Sequence, residues 1–286
     1  MNYSPLRYPG GKSKITKLVK TLMDKAGIVK GTYIEPFAGG SGVALTLLFN
    51  GDVEKIVIND IDLSIYSFWY AVLNETENLI YKIRNTEISI EEWNRQKEVY
   101  VNQGHFYSLD LAFATFFLNR TNRSGILKAG PIGGAKQDSE YFIDARFNKD
   151  RLIDRIEKIA HFKDKISLYN LDIFQFLNDI VPTFDNNSFI YFDPPYFKKG
   201  KELYTNFFNY SDHKNISEAL QNVNIKWMIT YDDTSEIENL YQSNFIKRFD
   251  INYSLASKKK NSEIIALSNN FWPVSRVLAE LDFNIR

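Results

Sequence analysis

Apolar positions along the 286-residue chain recur with two different periods, and the alternation between them outlines the fold. Ile15, Leu18, Val19 and Leu22 return every three to four residues over Ser13 to Ala26, which predicts a helix with Ser13 as a candidate N-cap. Short apolar runs at Thr32 to Phe37, Lys55 to Ile58, Ile166 to Tyr169, Ser188 to Phe192, Lys226 to Tyr231, Ile246 to Leu255 and Glu263 to Leu267 predict strands. Helical spacing separates most of them, beginning with Val43 to Phe49, and strands alternating with helices predict a mainly parallel sheet. The last two strand signals lie side by side and predict a closing hairpin. From Leu63 to about Lys165 the pattern is mostly helical, broken by a glycine-bearing loop at Gly125 to Gly134, and reads as an insertion.

Composition narrows this picture. Hydrophobic residues at 44% and charged residues at 24% are globular values and exclude a disordered or collagen-like chain. The length fits one large domain, or one domain carrying an insertion. The chain has no cysteine, which removes disulfide frameworks, cysteine-ligated metal centres and every mechanism that attacks with a thiolate. The longest apolar run, Leu111 to Leu118, is too short to span a membrane, and the stretch from Met1 to Lys20 is too basic and polar for a secretory signal. A cytoplasmic location is expected. The three histidines share no metal-ligand spacing, so no metal is expected.

Net charge is zero, yet the charges are unevenly placed. Residues 1 to 31 carry Arg7, Lys12, Lys14, Lys17, Lys20, Lys25 and Lys30 against Asp24 alone. Arg120, Arg123, Lys128 and Lys136 stand in a stretch without an acid, and Lys198, Lys199, Lys201 and Lys258 to Lys260 form further clusters. Scattered, such clusters are solvated faces; converging on one face, they would make a track for phosphates.

Three motifs carry chemistry. In Tyr33-Ile34-Glu35-Pro36-Phe37-Ala38-Gly39-Gly40-Ser41-Gly42 a strand runs into glycines and then a helix, which lets backbone N–H groups approach a ligand closely. Asp60 lies 23 residues beyond Phe37 at the end of the next strand, where a carboxylate can take both hydroxyls of a ribose. A nucleoside cofactor is implied; the spacing does not distinguish a dinucleotide from S-adenosylmethionine, although Gly-x-Gly-x-x-Gly is absent. The second motif, Asp193-Pro194-Pro195-Tyr196, ends an apolar strand. Two prolines remove two N–H donors and stiffen the loop, leaving carbonyls free. Asp193 and the Pro194 carbonyl can accept hydrogen bonds from an exocyclic amino group whose lone pair is otherwise delocalised, while Tyr196 stacks on the base. The third, Tyr8-Pro9-Gly10-Gly11-Lys12-Ser13, fails as a phosphate loop because Leu6 stands where the first glycine belongs. It suits a lid over the amino-acid end of a cofactor.

These motifs occur in an order that resembles the Dam-like, alpha-order family of adenine-specific DNA methyltransferases. The shared features are Pro-Gly-Gly-Lys, Glu-Pro-Phe-x-Gly, Asn-Asp-Ile-Asp after the second strand, Asp172 after Asn170-Leu171, and Asp-Pro-Pro-Tyr, with Leu118-Asn119-Arg120 in the middle. The likeness covers Pro5 to about Leu63 and Leu168 to the end. It implies a Rossmann-like α/β fold, a mainly parallel sheet with a closing hairpin, built from residues 1–65 and 166–286. A mostly helical target-recognition insertion would occupy 66–165. It implies S-adenosyl-L-methionine held by Tyr8, Lys12, Phe37, Gly39, Asp60, Asp172 and Asp193, with Asp193, Pro194, Pro195 and Tyr196 acting on a flipped adenine. Double-stranded DNA would be the partner and the enzyme a monomer; a restriction–modification role beside a separate cognate endonuclease, a phage role and a regulatory role all stay open. Ser41 departs from the family, which often has glycine there. The lack of cysteine agrees, because methylation at cytosine carbon 5 needs a thiolate and amino methylation does not. Asp-Pro-Pro-Tyr also serves cytosine-amino enzymes, and related loops act on RNA or protein glutamine, so adenine rests on the resemblance. For recognition, Arg120, Asn122, Arg123, Lys128 and Lys136 are the expected DNA contacts. Arg123 suits a guanine edge, and the two lysines suit phosphates.

Overall fold

A computed structural model describes residues 3–7, 13–198, 208–251 and 261–271. Tyr8, Lys12, Lys199, Lys201 and Lys258 to Lys260 lie outside the described residues. The strands β1 (Thr32–Glu35), β2 (Lys55–Asn59), β3 (Ile166–Tyr169), β4 (Ser188–Phe192), β5 (Lys226–Asp232), β6 (Phe245–Ile251) and β7 (Asn261–Leu267) form one sheet in the order β3-β2-β1-β4-β5-β7-β6. The first five run parallel, and β7 enters antiparallel between β5 and β6. This is the expected Rossmann-like, mainly parallel sheet with its closing hairpin. Strand β1 stops at Glu35, short of the expected Phe37, because Pro36 has no N–H to give the ladder.

All five residues of β4 are buried, as a central parallel strand covered on both faces requires. Alternate residues of the sheet feed two separate cores. Tyr33, Ile56, Ile58, Phe189, Tyr191 and Met228 face one, and Ile34, Val57, Ile190, Phe192, Trp227 and Ile229 face the other. The first core contains apolar residues of α1 (Ser13–Lys25), α2 (Gly42–Phe49), α3 (Leu63–Asn74), α4 (Thr76–Asn85), α5 (Ile90–Val101), α6 (Leu109–Thr121) and α7 (Lys149–His161). The second is closed by α8 (Ile173–Gln175, continued by a π-helical turn Phe176–Ile180), α9 (Tyr210–Leu220) and α10 (Ser235–Leu240). The helical stretch after β2 therefore shares a core with the sheet: α3 packs against α6, α7 and β3. Among the described residues no helix is long and apolar enough to cross a membrane.

The non-helical interruption is longer than the glycines imply, running from Asn122 to Asn148 with a single 3-10 turn at Arg123–Gly125. The chain order moves outward from β1 through β2 to β3, then returns to β4 on the other side of β1. That reversal opens a crevice at the carboxyl ends of β1 and β4, where α/β proteins bind ligands.

Candidate active site

The crevice wall above β1 and β2 is built from buried polar groups. Glu35, 5% exposed, accepts hydrogen bonds from Tyr33 Oη at 3.0 Å and from the Ala44 N–H at 3.2 Å, placing a carboxylate at the amino end of α2. Gly39 and Ser41 both adopt positive φ, 44° and 45°, so the turn that aims the backbone toward the crevice has a left-handed residue on either side of Gly40. Serine at the family's glycine position is thus accommodated with backbone strain, and the turn still forms. The Asp60 carboxylate accepts from Gly39 N at 2.9 Å and Asp62 N at 3.0 Å. Burial, reinforced by nearby Asp62, lifts its carboxyl to about 7 even though both amides favour the charged form. Trp69 Nε1 holds the Gly39 carbonyl at 2.9 Å.

Asn59 joins three loops at this edge. Its Nδ2 donates to the carbonyls of Pro36 (3.0 Å) and Leu171 (3.1 Å), and its Oδ1 accepts from Leu171 N at 2.9 Å. The segment after β3 is thereby tied to the Asp60 loop, with Asn170 Nδ2 also donating to Asp60 O at 2.7 Å, and Asp172 just beyond is exposed and caps α8 by accepting from Phe174 N at 2.8 Å. Phe37 is half-buried and meets Phe208 edge-on at 6.0 Å. Phe37, Gly39, Asp60 and Asp172 all lie at the carboxyl ends of β1, β2 and β3; Tyr8 and Lys12 fall outside the described residues.

Across the crevice, Asp193 follows β4 directly and is half-buried, Pro194 and Pro195 are buried, and Tyr196 is half-buried. Thr230 Oγ1 on β5 donates to Asp193 Oδ1 at 3.2 Å and lies 2.9 Å from Tyr191 Oη. Two strand positions on, Asp232 takes the N–H groups of Phe197 and Lys198 at 2.9 and 2.8 Å. His213 is fully buried beneath this loop, edge-on to Phe197 and Phe208 at 5.6 Å each, with Nδ1 3.0 Å from Tyr231 Oη. Burial holds its imidazole below the usual histidine value.

The irregular stretch after α6 is braced by amide side chains. Asn119, 1% exposed, accepts from Arg7 N at 2.6 Å and donates to the carbonyls of Arg7 and Gly125, both at 2.9 Å. A Cβ at Gly125 would sit 2.5 Å from Arg7 O, so the loop and the amino-terminal segment touch through backbone. Gln137 donates to Ile132 O at 2.7 Å and accepts from Ile143 N at 2.7 Å.

Asn122 departs from the expectation of a DNA contact. It is fully buried, accepts from Trp93 Nε1 at 2.6 Å, and donates to Ile126 O at 3.0 Å and Leu127 O at 2.9 Å. Its amide holds the loop and is not presented to a base. Arg120 is partly in the same position: Nε donates to Arg146 O at 2.7 Å, Nη2 reaches the same carbonyl, and burial with Arg7, Arg155 and Arg146 nearby pushes its guanidinium down to about 9. Arg123, Lys128 and Lys136 are exposed and make no side-chain hydrogen bond or ion pair among the described residues. The Arg123 guanidinium lies over Gly130, where an added Cβ would stand 3.2 Å from Nη2.

Sequence reasoning missed Trp69, Thr230 and Asp232, and it marked Asn59 and Asn119 as motif residues without their bracing roles. For Thr230 and Asp232 a signal existed, since polar residues alternate with apolar ones at the carboxyl end of a central strand.

A family model described as D12 class N6 adenine-specific DNA methyltransferase matches residues 8–262. Type II methyltransferase M.MjaIII of Methanocaldococcus jannaschii is 26% identical over 207 residues, covering 67% of this chain and 68% of that protein. Type II methyltransferase M.CviBI of Paramecium bursaria Chlorella virus NC1A is 24% identical over 243 residues, covering 82% and 85%. The solved structure of M. capricolum TrmK with S-adenosyl-homocysteine superposes with a TM-score of 0.36 at 9% identity, over 87% of this chain and 67% of that one, a likeness too loose to bear on activity. The family match covers both walls of the crevice and decides among the amino-group substrates that Asp-Pro-Pro-Tyr leaves open. The chain belongs to the D12 class of N6 adenine-specific DNA methyltransferases, whose methyl donor is S-adenosyl-L-methionine.

Proposed function

We propose that this chain methylates one adenine within a defined sequence of duplex DNA, acting on a base turned out of the stack. The observation that carries the reading is the pairing, across the β1/β4 reversal, of a glycine turn bound to Asp60 with a rigid Asp-Pro-Pro-Tyr loop. The donor set fits the methyl donor: Asp60 offers a carboxylate to ribose hydroxyls, the Gly39 turn lets backbone come close, and Phe37 offers a ring face to adenine. Asp172 closes that side, and Asp193 lies between donor and target. Bound there, S-adenosyl-L-methionine supplies an electrophilic methyl group on a sulfonium centre. Asp193 and the Pro194 carbonyl accept the two N–H bonds of the target amino group, drawing its nitrogen toward a tetrahedral shape with the lone pair directed at the donor. Pro195 keeps the loop stiff, and Tyr196 stacks on the base.

In this reading residues 66–165 form the target-recognition region and residues 1–65 with 166–286 the catalytic one. Arg123 reads a base, Lys128 and Lys136 bind phosphates, and Arg120 contributes from the rim. The protein acts in the cytoplasm as a monomer beside a separate endonuclease, and its DNA-modifying role is supported by the two relatives named as Type II methyltransferases. The test is expression in a methylation-deficient host, followed by single-molecule sequencing of plasmid DNA. N6-methyladenine at one sequence motif is expected, with none from Asp193→Ala, whose duplex binding in a filter assay persists. Turnover by Asp193→Ala comparable to wild type overturns the role given to its carboxylate.

A further inference from the structure

Two prolines create a mechanical problem for the loop after β4. Neither Pro194 nor Pro195 has an N–H, so the chain beside the target amino group cannot be tied down through its own backbone donors there. Fixation has to come from both sides of the pair. In a strand, residues two apart share a face, which puts Tyr191, and Asp193 just past the end of β4, on one side and Thr230 and Asp232 on the same side of the adjacent β5. Register pairs Tyr191 with Met228 and Phe192 with Ile229, so Thr230 is the next neighbour of Asp193.

We propose that the carboxyl end of β5 is a clamp for the Asp193 loop, with Thr230 and Asp232 as positioning residues for methyl transfer; this rests on the assignment of Asp193 to the target amino group. Thr230 is 1% exposed and Tyr191 2% exposed. A threonine hydroxyl has one hydrogen, and Thr230 directs it at Asp193 Oδ1, so Oγ1 must accept from Tyr191 Oη. The chain of donors therefore runs one way, from Tyr191 through Thr230 to the carboxylate. Burial and the charge of Asp193 hold the Tyr191 phenol well above its usual value, which keeps it protonated and donating. Thr230 thereby fixes the rotation of the Asp193 side chain. At the far end Asp232, 8% exposed, takes the N–H groups of Phe197 and Lys198, the second and third donors available after the proline pair. Both oxygens of one carboxylate set the height of the loop over β5.

In-line attack on a methyl carbon tolerates little misplacement, and an error of about 1 Å costs on the order of a hundredfold in rate. Thr230→Val removes the hydroxyl at nearly constant volume. Single-turnover methyl transfer to a cognate duplex is expected to slow by about tenfold to a hundredfold, while dissociation constants for donor and duplex stay within about twofold of wild type. Thr230→Ser restores the hydroxyl and should recover most of the rate; Tyr191→Phe, which removes the outer donor, should fall between. Asp232→Asn keeps one of two acceptors and should retain more activity than Asp232→Ala, again in rate more than in binding. Thr230→Val at the wild-type rate overturns the clamp, and so does a Thr230→Ser as slow as Thr230→Val, because that pattern reports packing. Asp193→Ala run beside them separates the two ideas: if it turns over normally the underlying assignment fails, and if it is inactive while Thr230→Val is normal only the clamp fails.

Discussion

The pH dependence of donor binding follows from Asp60. In the cofactor-free protein its carboxyl is lifted to about 7 by burial and by Asp62, so near pH 6 most molecules carry it protonated. Ribose hydroxyls are donors and select the ionised form. The apparent dissociation constant therefore equals the intrinsic one divided by the ionised fraction. At pH 8 that fraction is close to one; at pH 6 it is about one in ten, so affinity should fall roughly tenfold, about 1.4 kcal/mol. Titration calorimetry in buffers of different ionisation enthalpy reads both the affinity and the proton count. Binding at pH 6 should release nearly one proton, and binding at pH 8 almost none. Asp60→Asn should bind more weakly at pH 8, by about 1.5–3 kcal/mol for each charge-assisted bond lost, with no slope between pH 6 and 8. A wild-type affinity flat over this range, or an Asp60→Asn variant with the wild-type slope, would refute the placement of Asp60 against the ribose.

Arg123→Ala should relax discrimination at one base of the recognition sequence by about 1–3 kcal/mol, visible in a methylation map, whereas Lys128→Ala should weaken all duplexes alike and flatten the salt dependence; an unchanged map for Arg123→Ala moves base reading elsewhere. Ser41→Val should lower the melting temperature, because a β-branched residue at φ 45° costs upward of about 1–2 kcal/mol, while Ser41→Gly should be nearly neutral since relief of strain offsets the added freedom of the unfolded chain; equal melting of Val and wild type would contradict the left-handed turn. His213 is held neutral by burial, so its folded value lies below the unfolded 6.5 and its contribution to stability is present above that value and lost as pH falls below it. The melting temperature of wild type minus that of His213→Gln should shrink between pH 7.5 and 5.5, and a constant difference would exclude the effect.

The periods of the sequence locate every strand of the sheet to within a few residues, because burial of alternate positions on two faces is a local property written into adjacent residues. Where a strand boundary moved, as at Glu35, the cause was also local: the missing N–H of Pro36. The Asp-Pro-Pro-Tyr, glycine-turn and Asn59-Asp60 signals likewise mark carboxyl strand ends, because they interrupt apolar runs abruptly. Partners were not legible, since a polar side chain carries no record of what it will meet. Asn119 reads as a recognition-region residue until the fold brings it to Arg7, 112 positions away, and Asn122 reads as a DNA contact until Trp93 and two loop carbonyls consume its amide. Asn59 acquires its role from Leu171, also 112 positions distant, and Thr230 and Asp232 acquire theirs from the order of β4 and β5. Sequence by itself determined which residues are buried in strands and helices and where chemistry interrupts them. Strand order alone decided which of those interruptions share an edge, because adjacency in a parallel sheet is set by long crossover connections whose packing depends on all the helices at once.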